Sequence, residues 1–324
     1  MSKDKKPSLL IVGGTKAGKS HFGAQLLRRL ETKRGQLRLV GAAGDLTPFR
    51  EVLDRLSQGR AATHTPSGTY KECVWTVATE NGSDPSELVW PDYAGEQIEW
   101  IVKERHIPEQ WVERIRQADG WLFFVRLSII NTPPDIFDRP RDLSHMRVDA
   151  NRQPGPEAST SGKAVDVPAQ PSSSARFNDG APAAQPGRTE LSTQEKLVEL
   201  LQALLYAGQI STNLPVRSPA LTLVLSCYDE EATSDVDGNW EDPCSVLRRK
   251  LPLLSQFIES NWHRDKLDVI GLSALGKPLS EEKSDEEFMD NGPETQGWCI
   301  TKGGRSTKDL TYPVASIMER VKPL

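Results

Sequence analysis

The chain has 324 residues, 40 Lys and Arg against 45 Asp and Glu, and a formal net charge of −5. That length can bury a sizeable core in one large domain or two smaller ones. The acidic balance gives no bulk support to a nucleic-acid or anionic-membrane partner. Cys73, Cys227, Cys244 and Cys299 are scattered without a CxxC pair, which reads as reduced thiols in a cytoplasmic protein. The 5 histidines show no paired metal-ligand spacing.

In chain order, the apolar run Leu9 to Val12 predicts a buried strand, too short for the roughly 20 residues of a membrane span. Gly13 and Gly14 break it, and from Ser20 the residues Phe22, Leu26, Leu27 and Leu30 recur at helical spacing. A short strand is expected over Gln36 to Val40, then a helix over Thr47 to Leu56. Tyr70 to Thr79 and Leu88 to Trp90, separated by Asn81-Gly82-Ser83-Asp84-Pro85, predict a hairpin with a longer loop. Pro108 to Ala118 has helical character, and Trp121 to Leu127 is a strongly apolar strand. The tryptophans Trp75, Trp90, Trp100, Trp111 and Trp121 read as core and interface packing rather than a stacking platform for bases.

From Arg139 to about Arg188 the sequence turns rich in Pro, Ser, Ala, Gly and Gln. Such a stretch cannot bury enough apolar surface to offset its ordering entropy, so residues 139–189 are expected to be a disordered insertion. Ser192 and Glu195 have capping-box spacing ahead of the helical stripe Leu197, Leu200, Leu201, Leu204 and Leu205. Strands are expected at Leu221 to Leu225 and Leu267 to Leu272. Asp242-Pro243 starts a helix that Pro252 restarts, Ser280 to Asp290 reads as a solvated acidic loop, and Pro313 to Val321 closes the chain as a helix. Apart from the hairpin, strands alternate with helices. The expectation is therefore an α/β fold with a mainly parallel sheet, helices on both faces and one antiparallel edge hairpin. One domain is expected over residues 1–324, ordered at about 8–138 and 190–324.

Residues Gly13 to Ser20, GGTKAGKS, fit G-x-x-x-x-G-K-[ST] between a strand and a helix. This phosphate-binding loop offers converging backbone N–H groups from Gly13 through Thr15, Lys16, Ala17 and Gly18, a lysine (Lys19) for the β- and γ-phosphate oxygens, and a hydroxyl (Ser20) for Mg²⁺. Asp92-x-x-Gly95 at a strand end has the D-x-x-G form, in which the aspartate serves Mg²⁺ and the glycine N–H senses a γ-phosphate. Thr63, Thr65 and Thr69 precede the hairpin; Thr65 has the best spacing to close over the metal and the γ-phosphate. Ser226-Cys227-Tyr228-Asp229 has the placement of [NT]-K-x-D, where an aspartate takes two hydrogen bonds from guanine. Gly271-Leu272-Ser273-Ala274-Leu275 follows as a short S-A-K-like element, its backbone at Ser273 and Ala274 facing the base.

The order GGTKAGKS, HTPSGTY, LVWPDYAGEQ, SCYD, SAL resembles the Ras-like, translation-factor-related class of P-loop GTPases. GKSHFGAQLLRRL, Gln58-Gly59-Arg60 before AATHTP, LVWPDYAGEQ and the Trp121 strand resemble more narrowly the bacterial double-GTPase family, found beside a second GTPase in clusters associated with conflict and antiviral defence. The resemblance implies GTP/GDP and Mg²⁺ as ligands, with Ser20, Thr65 and Asp92 at the metal. Asp229 would read guanine, and a second GTPase or other protein would be the partner. It also implies catalytic roles for Thr65 and for the pair Glu96 and Gln97, because a water-orienting Gln commonly follows D-x-x-G and here Glu96 does. Thr15 stands at a commonly glycine position, crowding an incoming arginine finger. Arg105 and Arg126 are the candidate arginines in cis. Two other readings stay open: a nucleotide-binding scaffold without turnover, motivated by Glu96 and Cys227, and an ATP-using P-loop enzyme.

Overall fold

The computed structural model describes residues 6–41, 46–62, 71–81, 85–92, 96–130, 191–234 and 239–322. The expected insertion, residues 139–189, lies outside them, as do Thr63, Thr65, Thr69 and Gly95. The side chains of Asp92, Glu96 and Gln97 are likewise outside what is described.

The first apolar run forms β1 (Ser8–Gly13), buried at every position. It runs parallel to β4 (Ser86–Asp92) on one side and β5 (Gly120–Arg126) on the other, with Leu10 in register with both Val89 and Trp121. Beyond β5 lie β6 (Ala220–Ser226) and β7 (Leu267–Ser273), also parallel. Both faces of this centre are covered by helices, which is why these strands are continuous apolar runs rather than alternating ones. Odd and even positions still part company. Leu9, Ile11, Leu122 and Phe124 enter one core with Phe22 and Val314, while Leu10, Val12, Trp121 and Phe123 enter a second core with Trp111 and Leu201.

The first core is covered by α1 (Lys19–Glu31), α2 (Thr47–Ser57) and α9 (Tyr312–Val321). The second is covered by α3 (Glu96–Glu104), α4 (Glu109–Gln117), α5 (Thr193–Ala207), α6 (Pro243–Lys250) and α7 (Pro252–Asn261). α5 starts with the expected capping box: Ser192 Oγ accepts from the Glu195 N–H at 3.3 Å, and the Ser192 N–H donates to Glu195 Oε2 at 2.6 Å. The chain restarts at Pro252, as its missing N–H requires.

The hairpin is β3 (Lys71–Thr79) with β4, and β2 (Leu37–Leu39) extends it antiparallel. The opposite edge is antiparallel too, with β8 (Trp298–Ile300) and β9 (Ser306–Thr307) added to β7, giving the order β2-β3-β4-β1-β5-β6-β7-β8-β9. This second antiparallel edge and helix α3 go beyond the sequence expectation. The acidic stretch Ser280 to Asp290 is not a plain solvated loop. Asp285 caps α8 (Glu286–Asn291) by accepting from the Phe288 N–H at 2.8 Å, and Phe288 is fully buried.

Candidate functional site

At Gly13, the end of β1, an added Cβ would stand 2.8 Å from Phe124 Cβ and its carbonyl oxygen, so the loop leaves the sheet where only glycine fits. Lys16 and Gly18 then adopt left-handed backbone, φ 59° and 76°. That curl points the chain back over the start of α1, whose N-terminus has no side-chain cap. A helix start of this kind presents N–H groups and a positive dipole end to an anion. Lys19 Nζ donates to the carbonyls of Gly13 at 2.7 Å and Gly14 at 2.8 Å, which lays the ammonium along the loop.

This loop forms one wall of a cleft of about 380 Å³, lined on that side by Thr15, Lys16, Ala17, Gly18, Lys19 and Ser20. Gly13 sits behind the loop and does not line the cleft. The Thr15 hydroxyl turns sideways and donates to Glu99 of α3 at 3.1 Å. Asp92 ends β4, the strand beside β1, and Trp90 and Pro91 of the same strand line the cleft. Glu96 and Gln97 open α3.

The opposite wall is the expected base side. Ser226 ends β6 and approaches the loop closely, its Cβ 3.6 Å from where a Gly18 Cβ would be. Among the described residues, Ser226 Oγ is buried with no hydrogen-bond partner, at the seam of the two walls. Cys227 takes left-handed backbone, φ 51° and ψ 45°. The buried Tyr228 is thereby sent down against Gly271, where a Cβ would meet its ring at 2.8 Å, and its hydroxyl donates to the Glu241 carbonyl at 2.7 Å. With Tyr228 anchored, Asp229 lines the cleft. Burial pushes the Asp229 carboxyl above the usual range, and a hydrogen bond with the Ser273 side chain works the other way. Ser273 and Ala274 end and follow β7 in the same wall. Burial also pushes the Cys227 thiol up to about 12, so it stays protonated and presents a small apolar wall.

Of the two candidate arginines, Arg126 lines the cleft and Arg105 does not; Arg105 is paired with Glu199 on the surface at 2.6 Å. Arg126 is itself forked onto Glu230, at 2.6 and 3.2 Å, and Ser128 donates to the same carboxylate. Sequence reasoning missed four parts of the lining: His21, Ala61 with Ala62, Glu230, and the segment Lys277 to Glu281. His21 is held neutral, near a pKa of about 4, first by burial and then by Arg126. Its Nε2 accepts the Ala62 N–H at 3.0 Å. The only signal in the chain for the last segment was its place soon after Ser273-Ala274.

The sequence matches the Double-GTPase 1 family over residues 10–317. The chain belongs to the double-GTPase 1 family. It is accordingly a GTP-binding P-loop protein. No curated protein matches it. Among solved structures, the GDP-bound RocCORdC structure of Methanosarcina barkeri Roco2 matches at 12% identity and a TM-score of 0.28. The match covers 88% of this chain and 47% of that one, so the double-GTPase spans about half of that protein's length. A likeness so slight transfers neither ligand nor mechanism. Among the described residues, no helix is long and apolar enough to cross a membrane.

Proposed function

We propose that this double-GTPase binds GTP and GDP with Mg²⁺, hydrolyses GTP slowly, and acts as a nucleotide-dependent switch for a protein partner. The observation that carries the reading is convergence: Thr15 to Ser20, Asp229, Ser273 and Ala274, read separately along the chain, line one cleft. Lys19 and the backbone N–H groups of the loop serve the phosphates. Asp229 accepts from guanine N1 and N2, with Ser273 beside it. The orphaned Ser226 hydroxyl, at the seam between the walls, suits a ligand that spans both.

The donor chemistry suits Mg²⁺, which prefers hard oxygens: the Ser20 hydroxyl at the start of α1, Asp92 at the end of the neighbouring strand, and Thr65 between α2 and β3. Mg²⁺, when bound, neutralises charge on the β- and γ-phosphate oxygens. Gly95 would contact the γ-phosphate, and Glu96 or Gln97 would orient the attacking water. An ionised Glu96 is repelled by a triphosphate and cannot donate a hydrogen bond, which is why intrinsic turnover is proposed to be slow. The family resemblance supports placing this switch in the cytoplasm of a bacterium, in a conflict or defence system, with a second GTPase as partner.

Glu96 at the usual glutamine position and Cys227 at the usual lysine position support a second reading, a nucleotide-binding scaffold without turnover. Calorimetry with Mg²⁺ and GTP, GDP or ATP, followed by single-turnover γ-phosphate release, separates them. Guanine-selective binding with slow release is expected. Binding without release, alone or with a partner, favours the scaffold. Equal GTP and ATP affinity sinks the guanine assignment.

A further inference from the structure

A short stretch of chain, Gly59 to Ala62, borders the cleft and is bonded in both directions. Toward the base side, the Ala61 N–H donates to the Ser280 carbonyl at 2.9 Å and the Asp285 N–H donates to the Gly59 carbonyl at 3.0 Å. Arg60 Nε donates to Ser284 Oγ at 3.0 Å. Toward the phosphate side, the Ala62 N–H donates to His21 Nε2 at 3.0 Å, and His21 directly follows Ser20. Ala61, Ala62, His21 and Glu281 all line the cleft.

One guanidinium sits behind this junction. Arg55 of α2 donates through Nε to the Ala61 carbonyl at 2.7 Å and through its NH2 group to the Glu281 carbonyl. A forked, planar donor can hold two backbone segments at fixed spacing, which a single ammonium cannot. Arg55 does not line the cleft. Its guanidinium bonds to the two segments that do.

The base wall has a particular need for such a brace. Cys227 leaves it without a long side chain at that position, so its apolar cover on the other side is Leu275, Pro278 and Leu279, carried on the segment that runs to Glu281. That segment is anchored at one end by β7 and Ser273, whose Oγ accepts the Gly276 N–H at 3.0 Å. Its other end is held by the Arg55 fork and Ala61.

We infer that Arg55 is a positioning residue for base selection: it fixes the Leu275 to Glu281 wall against Ala61 and Ala62, which His21 ties to the phosphate loop, so the base and phosphate walls are set as one unit. The inference rests on the reading of the cleft as a guanine-nucleotide site. A conserved fold with a displaced base wall is the expected result of cutting the brace. The loss then falls on discrimination between bases, not on phosphate binding.

The test is calorimetry of the full chain with Mg²⁺ and GDP, ADP or inorganic pyrophosphate, for the parent, Arg55→Ala, Arg55→Lys, His21→Phe and His21→Gln. The parent should prefer GDP to ADP. Arg55→Ala should cut that ratio by at least about five-fold while pyrophosphate affinity stays within about two-fold. Arg55→Lys, with one donor direction instead of a fork, should fall between. His21→Phe should lower the ratio and His21→Gln, which supplies an acceptor, should restore it. The Arg55→Ala/His21→Phe double variant should be less than additive, since both cut one connection. Should Arg55→Ala fail to fold, Arg55→Lys and the His21 pair carry the test. A ratio unchanged in these variants, or an equal fall for all three ligands, overturns the inference alone. A parent that does not prefer GDP overturns the guanine reading and this inference with it.

Discussion

The Thr15 hydroxyl donates to the Glu99 carboxylate at 3.1 Å, joining the phosphate loop to the first turn of α3. That turn begins with Glu96 and Gln97. Because the bond is exposed, breaking it should change stability by no more than about 0.5–1 kcal/mol. Glu99→Gln and Thr15→Val should therefore melt like the parent and bind GDP normally. Single-turnover GTP hydrolysis should slow several-fold, because the helix carrying the proposed water-orienting pair is no longer registered to the loop. Unchanged hydrolysis in both variants would count against a role for α3 in turnover.

Lys19 carries the phosphate assignment. Replacing it with Ala removes charge-assisted bonds worth about 1.5–3 kcal/mol, or roughly 10–100-fold in GDP affinity. Calorimetry on a folded Lys19→Ala protein checks this, and an unaltered affinity rejects the phosphate-loop reading.

On the proposed guanine reading, Asp229 makes base selection sensitive to acid. Only the ionised carboxylate accepts both guanine hydrogens, and burial raises its pKa above the ordinary range. Glu230 raises it further, while Ser273 and Arg126 oppose the shift. As pH falls through the raised value the group takes up its proton earlier than an ordinary aspartate, so the GTP-over-ATP preference should weaken there. The stability sign is the reverse of a salt-bridged aspartate. The folded state holds this proton more tightly than the unfolded state, so the contribution favours folding at low pH and is lost as pH rises through the folded value. Paired GTP and ATP titrations from neutral into acid pH test this, with Asp229→Asn expected to give a flat and lower preference that turns toward xanthine nucleotides.

Gly23 tests the packing that seats the loop. On the buried face of α1, a Cβ would stand 2.3 Å from Phe49 Cε1 and 2.7 Å from Trp90 ring atoms. Phe49 and Trp90 meet edge to face with centroids 5.1 Å apart, so neither ring can yield cheaply. Gly23→Ala should cost about 1–3 kcal/mol by overpacking, read as a lowered thermal midpoint. A midpoint equal to the parent's would show that α1 can shift without loss.

The stretch 139–189 is proposed to be dispensable for the cleft. The described chain stops at Ile130 and resumes at Leu191, and neither residue lines the cleft. Loop-closure entropy changes slowly with length, so replacing the stretch by a short flexible linker should leave folding and GDP affinity nearly intact. Lost affinity in a folded deletion protein would assign it a part in the site.

Much of the cleft lining was legible because its signals are local. The loop from Gly13 to Ser20 is a single run of chain, Asp229 follows a buried strand and Ser273 ends one, and the apolar pattern of each strand announces it. What escaped were relations across long sequence separations. Nothing near Arg55 announces Glu281, and nothing near His21 announces Ala62. The acidic letters of Ser280 to Asp290 suggested solvent, but the buried Phe288 and the bonds to Arg55, Gly59, Arg60 and Ala61 draw that stretch onto the body of the fold. β8 and β9 have 3 and 2 residues, too few to show a period. Trp100 was read with the core tryptophans, yet it is 44% exposed on α3.

The two outermost strands have a bearing on assembly. A wide sheet with long free edges is a template on which another chain can add its own strand. Here the sheet tapers to β2, 3 residues long, and β9, 2 residues long. The cover they give is partial: β2 pairs with Val77 to Thr79 of β3, and among the described residues no strand pairs with Lys71 to Trp75 on that side. A partner that adds a strand would therefore meet that stretch of β3 rather than either terminal strand.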